Sequence, residues 1–251
     1  MRAVAVRRVT NLSPQMVRVT LGGDSLEGFE IAGPTGHLKL YLRQEGQDEI
    51  DFEALAAPRG ERPPSAPVSR TFTPRRFDAA RNELDIDFYV HGDGPAARFA
   101  TSAQPGEVVA VAGPSRPYRV VEAAWQLVAG DETAFPAIAM IAEALPTAAV
   151  GVVLLEAADP ADLPELPLPR GVTLESVPRG SDGAGAAMVA ALGELALGPA
   201  PVQAWVAGEA VAIRGARKLL LERGVTRELL TTSGYWRYGE AGHPDHDMGE
   251  D

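Results

Sequence analysis

The chain has 251 residues, of which 45% are hydrophobic and 23% charged, so it can form one large or two modest globular domains. Its formal net charge of −11 argues against binding to nucleic acid. The absence of cysteine excludes disulfides, thiolate-bound zinc, iron–sulfur clusters and covalently attached haem. Any redox chemistry therefore has to come from a bound organic cofactor.

The charge is unevenly distributed along the chain. Residues 59–119 carry nine basic and seven acidic side chains, whereas residues 120–251 carry eight basic and 19 acidic ones. A locally basic middle suits an anionic ligand, and equally an ordinary solvated surface. The first residues include no apolar run typical of a signal peptide, and the longest apolar run, 148–155, is too short to cross a bilayer. We expect a cytoplasmic protein without membrane insertion.

The first half of the chain is predicted to be an antiparallel β-barrel, placed at residues 1–119. Period-two alternation recurs in about six short segments, which indicates strands joined by turns. These segments are 1–21 (a hairpin), 37–43, 68–76, 84–90 and 108–111. Residues 44–67 are polar and rich in proline, which is typical of a long loop that is either functional or disordered. Residues 96–103 are a candidate helix.

The second half, residues 120–251, is predicted to be an α/β domain with a parallel sheet. Continuous apolar runs at 125–129 and 149–155 are typical of strands buried on both faces. Further strands are expected at 172–177 and 202–207. Helices are expected at 133–145, 184–197 and 209–222, and this alternation indicates a parallel sheet.

Two loops that follow strands of this sheet are predicted to line one cleft. Residues 130–133 follow the first strand and residues 208–209 a later one, and ligands of such sheets bind beyond the carboxyl ends of the strands. The alternative is that both loops are ordinary strand-to-helix turns with capping residues. No Gly-x-Gly-x-x-Gly is present, so dinucleotide binding is not predicted by that motif.

The segment 68–76 combines cations, an aromatic ring and hydroxyl groups. In an extended strand, Arg70 and Phe72 point to one face, while Thr71 and Thr73 point to the other. A large flat cofactor with a phosphate tail requires these groups within a short reach. For Phe72 the alternative is a core ring of a barrel strand.

Eight segments, in order and at domain-consistent spacing, resemble the siderophore-interacting proteins. These are FAD-dependent ferric-siderophore reductases and a branch of the ferredoxin-reductase-like flavoproteins. The matching segments are 37–40, 70–75, 87–92, 94–100, 113–114, 129–134, 207–209 and 234–237. The resemblance implies an FAD-binding barrel followed by an NAD(P)H-binding-like domain.

The resemblance implies that the strand 70–73 binds FAD. Arg70 would pair with the pyrophosphate, since its planar fork suits phosphate oxygens. Phe72 would lie against the flavin ring, where the family usually has tyrosine, and Thr73 would hydrogen-bond near the reactive flavin nitrogen, beside Thr71. His91 and Gly92 would lie near the flavin. A helix start that receives the pyrophosphate is implied at Gly94, Pro95, Ala96 and Ala97. The family commonly has serine or threonine where Ala97 stands.

In the second domain, the resemblance places Asp131, Thr133 and Glu209 where NADPH or NADH enters. Trp236 belongs to a closing strand whose aromatic residue approaches the flavin. A basic stretch, Arg214, Arg217 and Lys218, either holds a cofactor phosphate or is the outer face of a helix.

The implied substrate is a ferric siderophore, contacted by Lys39, Arg75 and Arg116; the alternative for each is a solvated surface charge. Siderophores hold Fe(III) better than Fe(II), so reduction releases the iron. No catalytic side chain or metal ligand is assigned, and residues 243–247 are interpreted as an acidic tail. A monomer is expected. The alternatives are a flavoprotein reduced by ferredoxin, and a non-catalytic siderophore-binding protein that has lost FAD, suggested by Phe72 and Ala97.

Overall fold

A computed structural model describes residues 1–58, 60–115, 118–240 and 242, and the chain divides into two compact units, Met1–Tyr118 and Arg119–Asp251. The first contains an antiparallel sheet and the second a parallel one, which confirms the predicted fold class. Among the described residues, no helix has the length and apolar character that a membrane span requires.

The first unit is a seven-stranded antiparallel sheet. Its strands are β1 (Arg2–Asn11), β2 (Met16–Gly22), β3 (Leu38–Leu42), β4 (Val68–Phe72), β5 (Pro74–Asp78), β6 (Glu83–Tyr89) and β7 (Val108–Ala112). They are ordered β4-β3-β7-β1-β2-β6-β5. Since β4 and β5 are the two edges of the sheet yet are separated by Thr73 alone, the sheet curls until its edges meet, as in a barrel.

The period-two pattern of the sequence explains the interior of this sheet. In β3, Leu38, Leu40 and Leu42 are buried, whereas Lys39 and Tyr41 between them are partly exposed. Each leucine that is fully removed from water contributes about 1.5–3 kcal/mol to folding. One helix of this unit, α2 (Pro95–Ser102), packs against β2, β3 and β6. The predicted helix at 96–103 therefore exists, one residue earlier.

The segment 68–76 is two strands, and the prediction of a single strand there was wrong. Strand β4 ends at Phe72, and Pro74 begins β5 at the opposite edge of the sheet. Proline lacks the N–H that a central strand needs, so it is tolerated at the start of an edge strand. Thr73, between the two, is buried.

The described part of the long loop 44–67 is held by a small core of its own. It contains a short helix, α1 (Phe52–Ala56), in which Asp51 accepts a hydrogen bond from the Ala54 amide. Ile50 and Leu55 are buried together with Ala110 of the sheet. The Arg62 guanidinium lies over the ring of Tyr41, 5.8 Å from its centroid. The sequence pattern had predicted neither the helix nor this core.

The second unit is a five-stranded parallel sheet with α-helices in three of its four crossovers. The strands are β8 (Trp125–Gly130), β9 (Val150–Ala157), β10 (Gly171–Pro178), β11 (Val202–Glu209) and β12 (Leu230–Trp236); the helices are α3 (Phe135–Ala144), α4 (Ala186–Glu194) and α5 (Ala210–Glu222). The strand order is β10-β9-β8-β11-β12, so the order reverses between β8 and β11. Ligands of open α/β sheets bind at such a reversal, beyond the carboxyl ends of the strands.

Candidate functional site

Strand β4 places Arg70 and Phe72 on the inward face of the curled sheet. Phe72 is opposite Leu38 and Arg70 opposite Leu40, and directly opposed residues share a face. Every residue of β4 is half-buried, as expected at an edge. The predicted cation and ring therefore lie on one side of the same strand.

The ring of Phe72 both packs on the core and remains partly exposed. Its centroid is 4.4 Å from that of Phe88, and Phe88 is 5.9 Å from Phe99 of α2. This row of three rings connects β4, β6 and α2. Phe72 thus lies at the edge of the core, and the exposed part of its ring can still contact a flat cofactor.

Arg70 has donors available for a ligand. Its Nη1 donates to the Ser69 carbonyl oxygen at 2.9 Å, and within the described parts of the chain it forms no ion pair. A guanidinium carries five N–H donors, so most of them remain for another acceptor.

The first turn of α2 is also open to an anion. Its N-cap residue is Gly94, which offers no side-chain acceptor, and Pro95 follows at the first helical position. Ala96 is half-buried and Ala97 is buried, so a cofactor would meet backbone amides here instead of side-chain donors. Just before, His91 and Gly92 are exposed.

A cavity of about 350 Å³ connects these two elements within the first unit. Its lining includes Val68 at the start of β4 and Pro95 and Arg98 at the start of α2. Arg70 and Phe72 are not among its lining residues, so the first unit offers a cation and a ring on the inward face of β4 and, beside the cavity, an open helix N-terminus. These residues fit the pyrophosphate and the flat ring of FAD.

The two predicted substrate cations that the structure describes lie on different strands of the first sheet. Lys39 pairs with Thr71 in the ladder between β3 and β4, so it lies on the face opposite Phe72. Arg75 lies on β5, at the other edge of the sheet, and is half-buried. Arg116 falls outside the described residues, as does the predicted acidic tail at 243–247. The contacts of these three cations with a substrate stay predictions.

In the second unit, Asp131 is fully buried at the carboxyl end of β8. One oxygen accepts hydrogen bonds from the amide and the hydroxyl of Thr133, at 3.0 and 2.5 Å. The other accepts from the Glu209 amide at 3.1 Å and from Nε1 of Trp236 at 2.9 Å. Burial raises the pKa of this carboxyl to about 6, against the lowering effect of the Thr133 and Trp236 hydrogen bonds. Asp131 thus joins β8, β11 and β12.

The carboxylate of Asp131 leaves no room for a side chain at Gly208, near the end of β11. Gly208 has a φ of 154°, and a Cβ there would lie 2.6 Å from Oδ2 of Asp131. Any other residue would meet both a strained backbone and a collision.

Glu209 caps helix α5. Its Oε2 accepts hydrogen bonds from the amides of Val211 and Ala212 at 2.7 and 2.9 Å, and its Oε1 accepts from the Tyr238 amide at 3.3 Å. The structure therefore brings Asp131, Thr133 and Glu209 together, as predicted, and adds Trp236 to them, but their polar side-chain atoms bond to one another or to the backbone. The predicted approach of Trp236 to the flavin stays a prediction. The alternative of capping turns describes both loops.

Sequence reasoning missed a buried ionic network beside these residues. Arg179 pairs with Glu156, Nε to Oε1 at 3.0 Å, and also with Glu132. Both glutamates are fully buried, and Glu132 also accepts from the Ala158 amide at 2.7 Å. The available signal was that Glu156 is an acidic residue near the end of an apolar run, where a burial partner is required.

The basic stretch on α5 is only partly exposed. Arg217 is buried, contrary to the outer-face interpretation, whereas Lys218 is exposed and lies 4.0 Å from Glu222, one turn on.

Comparisons with known proteins give matches to one family along almost the whole chain. A family model for the siderophore-interacting FAD-binding domain matches residues 5–118, and one for siderophore-interacting protein matches residues 123–239. The ferric vibriobactin reductase ViuB of Vibrio cholerae serotype O1 is 32% identical over 234 residues, which cover 91% of this chain and 86% of ViuB.

Two further relatives are informative. The NADPH-dependent ferric-chelate reductase of Escherichia coli strain K12 is 38% identical over 154 residues, 59% of either chain. The crystal structure of a siderophore utilization protein from T. fusca superposes with a TM-score of 0.87 at 34% identity, covering 98% of this chain and 95% of the other. The chain is therefore a member of the siderophore-interacting protein family, and its first unit is the FAD-binding domain of that family.

Proposed function

We propose that this protein is an FAD-dependent oxidoreductase that reduces ferric siderophores with electrons from NADPH or NADH. The observation that carries the proposal is the inward face of β4, where Arg70 and Phe72 lie on one side of the strand and Arg70 forms no ion pair with any described residue, together with the uncapped start of α2. The names of the Vibrio cholerae and Escherichia coli relatives support the reaction class.

The residues of the first unit hold the cofactor in this proposal. Arg70 and the backbone amides at 94–97 bind the pyrophosphate, because an anion gains from both a guanidinium and a helix N-terminus. Phe72 supports the flavin ring, and its packing on Phe88 fixes the orientation of that support. Thr73, His91 and Gly92 flank the ring, whereas Thr71, which the resemblance also implied, lies with Lys39 on the other face of β4. When bound, FAD supplies the ability to take up an electron pair and release electrons singly.

The substrate needs no ligand from the protein to its iron. Siderophore oxygens already surround Fe(III), and the reduced ion is held less firmly by such hard ligands. What the protein has to supply is attraction for an anionic chelate, which we assign to Lys39, Arg75 and Arg116. A cytoplasmic location belongs to the same proposal, and cell fractionation tests it.

Anaerobic turnover tests the proposal directly. The FAD-loaded protein is mixed with several ferric siderophores and with NADH, NADPH or reduced ferredoxin in turn, and Fe(II) is trapped with a chromogenic chelator. Fe(II) release driven by a nicotinamide is expected. Release with ferredoxin alone would replace the electron donor, and no release with any reductant would refute the reductase and leave a siderophore-binding protein.

A further inference from the structure

At the carboxyl edge of the parallel sheet, a carboxylate accepts a hydrogen bond from a backbone amide in each of the four crossovers. After β8, Asp131 accepts a hydrogen bond from the Thr133 amide at the start of a 3-10 helix that leads into α3. After β9, Asp159 accepts from the Ala161 amide, at 2.8 Å, at the start of another 3-10 helix. After β11, Glu209 caps α5.

The remaining helix, α4, is capped by a residue from a different strand. Glu156, at the end of β9, accepts hydrogen bonds from the amides of Gly185 and Met188 at 2.7 and 3.0 Å. The same glutamate pairs with Arg179. All four crossovers of the sheet therefore begin with amides that already bond to a carboxylate of the chain itself.

These amides are the groups that a dinucleotide normally uses. In open α/β sheets the diphosphate lies against a helix N-terminus at the reversal of strand order, where backbone N–H groups and the helix dipole attract it. Here the reversal lies between β8 and β11. The space that Gly208 leaves beside the backbone at this point is filled by the carboxylate of Asp131.

The charge balance at this edge is also unfavourable to phosphate. Together with Glu132, the four capping residues make five carboxylates; of the nearby cations, Arg179 pairs with Glu132 and Glu156, and Arg237, directly after β12, pairs with Glu240. A diphosphate placed here would lose water, find its usual amide donors occupied and face like charges at short distance.

We propose that the carboxyl edge of this sheet excludes the phosphates of the nicotinamide donor, so that the donor is selected by its dihydronicotinamide end alone. The consequence is an enzyme that does not distinguish NADPH from NADH. This inference rests on the proposed function, and it assigns Asp131 and Glu209 to exclusion of phosphate instead of contact with it.

Binding of the phosphate half of the donor tests the exclusion without turnover. ADP-ribose and 2′-phospho-ADP-ribose are titrated into the FAD-loaded protein and followed by calorimetry and ligand-observed NMR. We expect dissociation constants of about 1 mM or weaker, with no preference for the 2′-phosphate. Micromolar binding of either ligand to the unaltered protein would overturn the proposal.

A charge-neutral variant separates exclusion by charge from mere lack of contacts. Glu209→Gln keeps an oxygen that can accept from the Val211 and Ala212 amides but removes the charge. It should tighten binding of both ligands about tenfold. Glu222→Gln, at an exposed position of the same helix, is the matched control and should change binding less than about twofold. No gain in Glu209→Gln would contradict the inference.

Flavin reduction by truncated donors completes the test. In stopped flow, NADPH, NADH and reduced nicotinamide mononucleotide should reduce the flavin with rate constants, at equal concentration, within about threefold of one another. A rate at least about 100-fold lower for the mononucleotide would overturn the proposal, because phosphate contacts would then matter. If no donor reduces the flavin, this inference fails, while Fe(II) release after dithionite reduction would still support the reductase.

Discussion

Arg70 and Arg179 show at the scale of single residues how the surroundings of a side chain decide its use. Arg179 lies between two fully buried glutamates and is committed to them. Arg70 lies at an edge strand, donates to one carbonyl oxygen, and forms no ion pair with any described residue. The first is suited to hold the fold together, and the second to hold a phosphate.

Replacement of Arg70 by alanine should weaken FAD binding. A hydrogen bond to a charged group contributes about 1.5–3 kcal/mol, so the dissociation constant for FAD should rise about 10- to 100-fold. Quenching of flavin fluorescence measures it. Arg81→Ala, at an exposed arginine of the same unit, is the control. Full flavin occupancy in Arg70→Ala at low FAD concentration would show that the pyrophosphate lies elsewhere.

Asp131 should make stability fall as pH rises. Its folded-state pKa of about 6 lies above the ordinary aspartate value of 3.8, so its stabilising contribution is complete below pH 3.8 and is lost as pH rises through 6. That shift corresponds to about 3 kcal/mol. Urea unfolding should show the wild-type protein losing stability relative to Asp131→Asn between pH 4 and pH 7. A constant or rising difference would contradict the buried-acid account.

At the scale of elements, the start of α2 contrasts with the helix starts of the second unit. Gly94 places no side chain over the first turn of α2, whereas carboxylates accept from amides at the helix starts of the second unit: Asp131 at the 3-10 helix that precedes α3, Glu156 at α4 and Glu209 at α5. A helix N-terminus attracts anions unless the chain supplies one of its own. The two units therefore offer phosphate opposite environments.

Gly94→Asp should convert α2 to the capped type. The backbone at Gly94 is extended, at φ −62°, and a Cβ there meets no atom within 4 Å, so the side chain fits. Aspartate should lower FAD affinity at least about tenfold through its charge. Gly94→Asn, which caps without charge, should lower it less. Fluorescence titration compares the two, and equal affinities would show that this helix start does not contact the pyrophosphate.

The sequence pattern predicted most elements but not the meeting edges of the first sheet. Alternation in 38–42 and 84–90 was sufficient to predict β3 and β6, and the apolar runs were sufficient to predict β8 and β9. Burial on one or both faces determines the residue types there. Strand β5 was missed because Arg75 and Arg76 follow Pro74 at an edge where only Pro74 is fully buried and the hydrogen-bond ladder is incomplete, so the sequence is weakly constrained. Similarly, Asp131 and Glu209 were identified because they follow predicted strands. A pattern along the sequence could not reveal that Asp131 bonds to residues of β11 and β12, or that Glu209 bonds to the Tyr238 amide.

At the scale of the whole molecule, the two units differ in charge. Residues 59–119, which include β4 and α2, are locally basic, and residues 120–251 carry 19 acidic against eight basic side chains. The first unit is the FAD-binding domain of the family, and the acidic second unit lets a donor approach without anchoring its phosphates.

The central claim is that electrons pass from FAD held by this chain to siderophore-bound iron. The most direct measurement is a single anaerobic turnover, in which the FAD-loaded protein is reduced with one equivalent of dithionite and mixed with excess ferric siderophore. The flavin absorbance should return with release of about two Fe(II) per FAD, since a flavin carries two electrons. A flavin that stays reduced while the ferric siderophore persists, or a chain that takes up no FAD, would contradict the account.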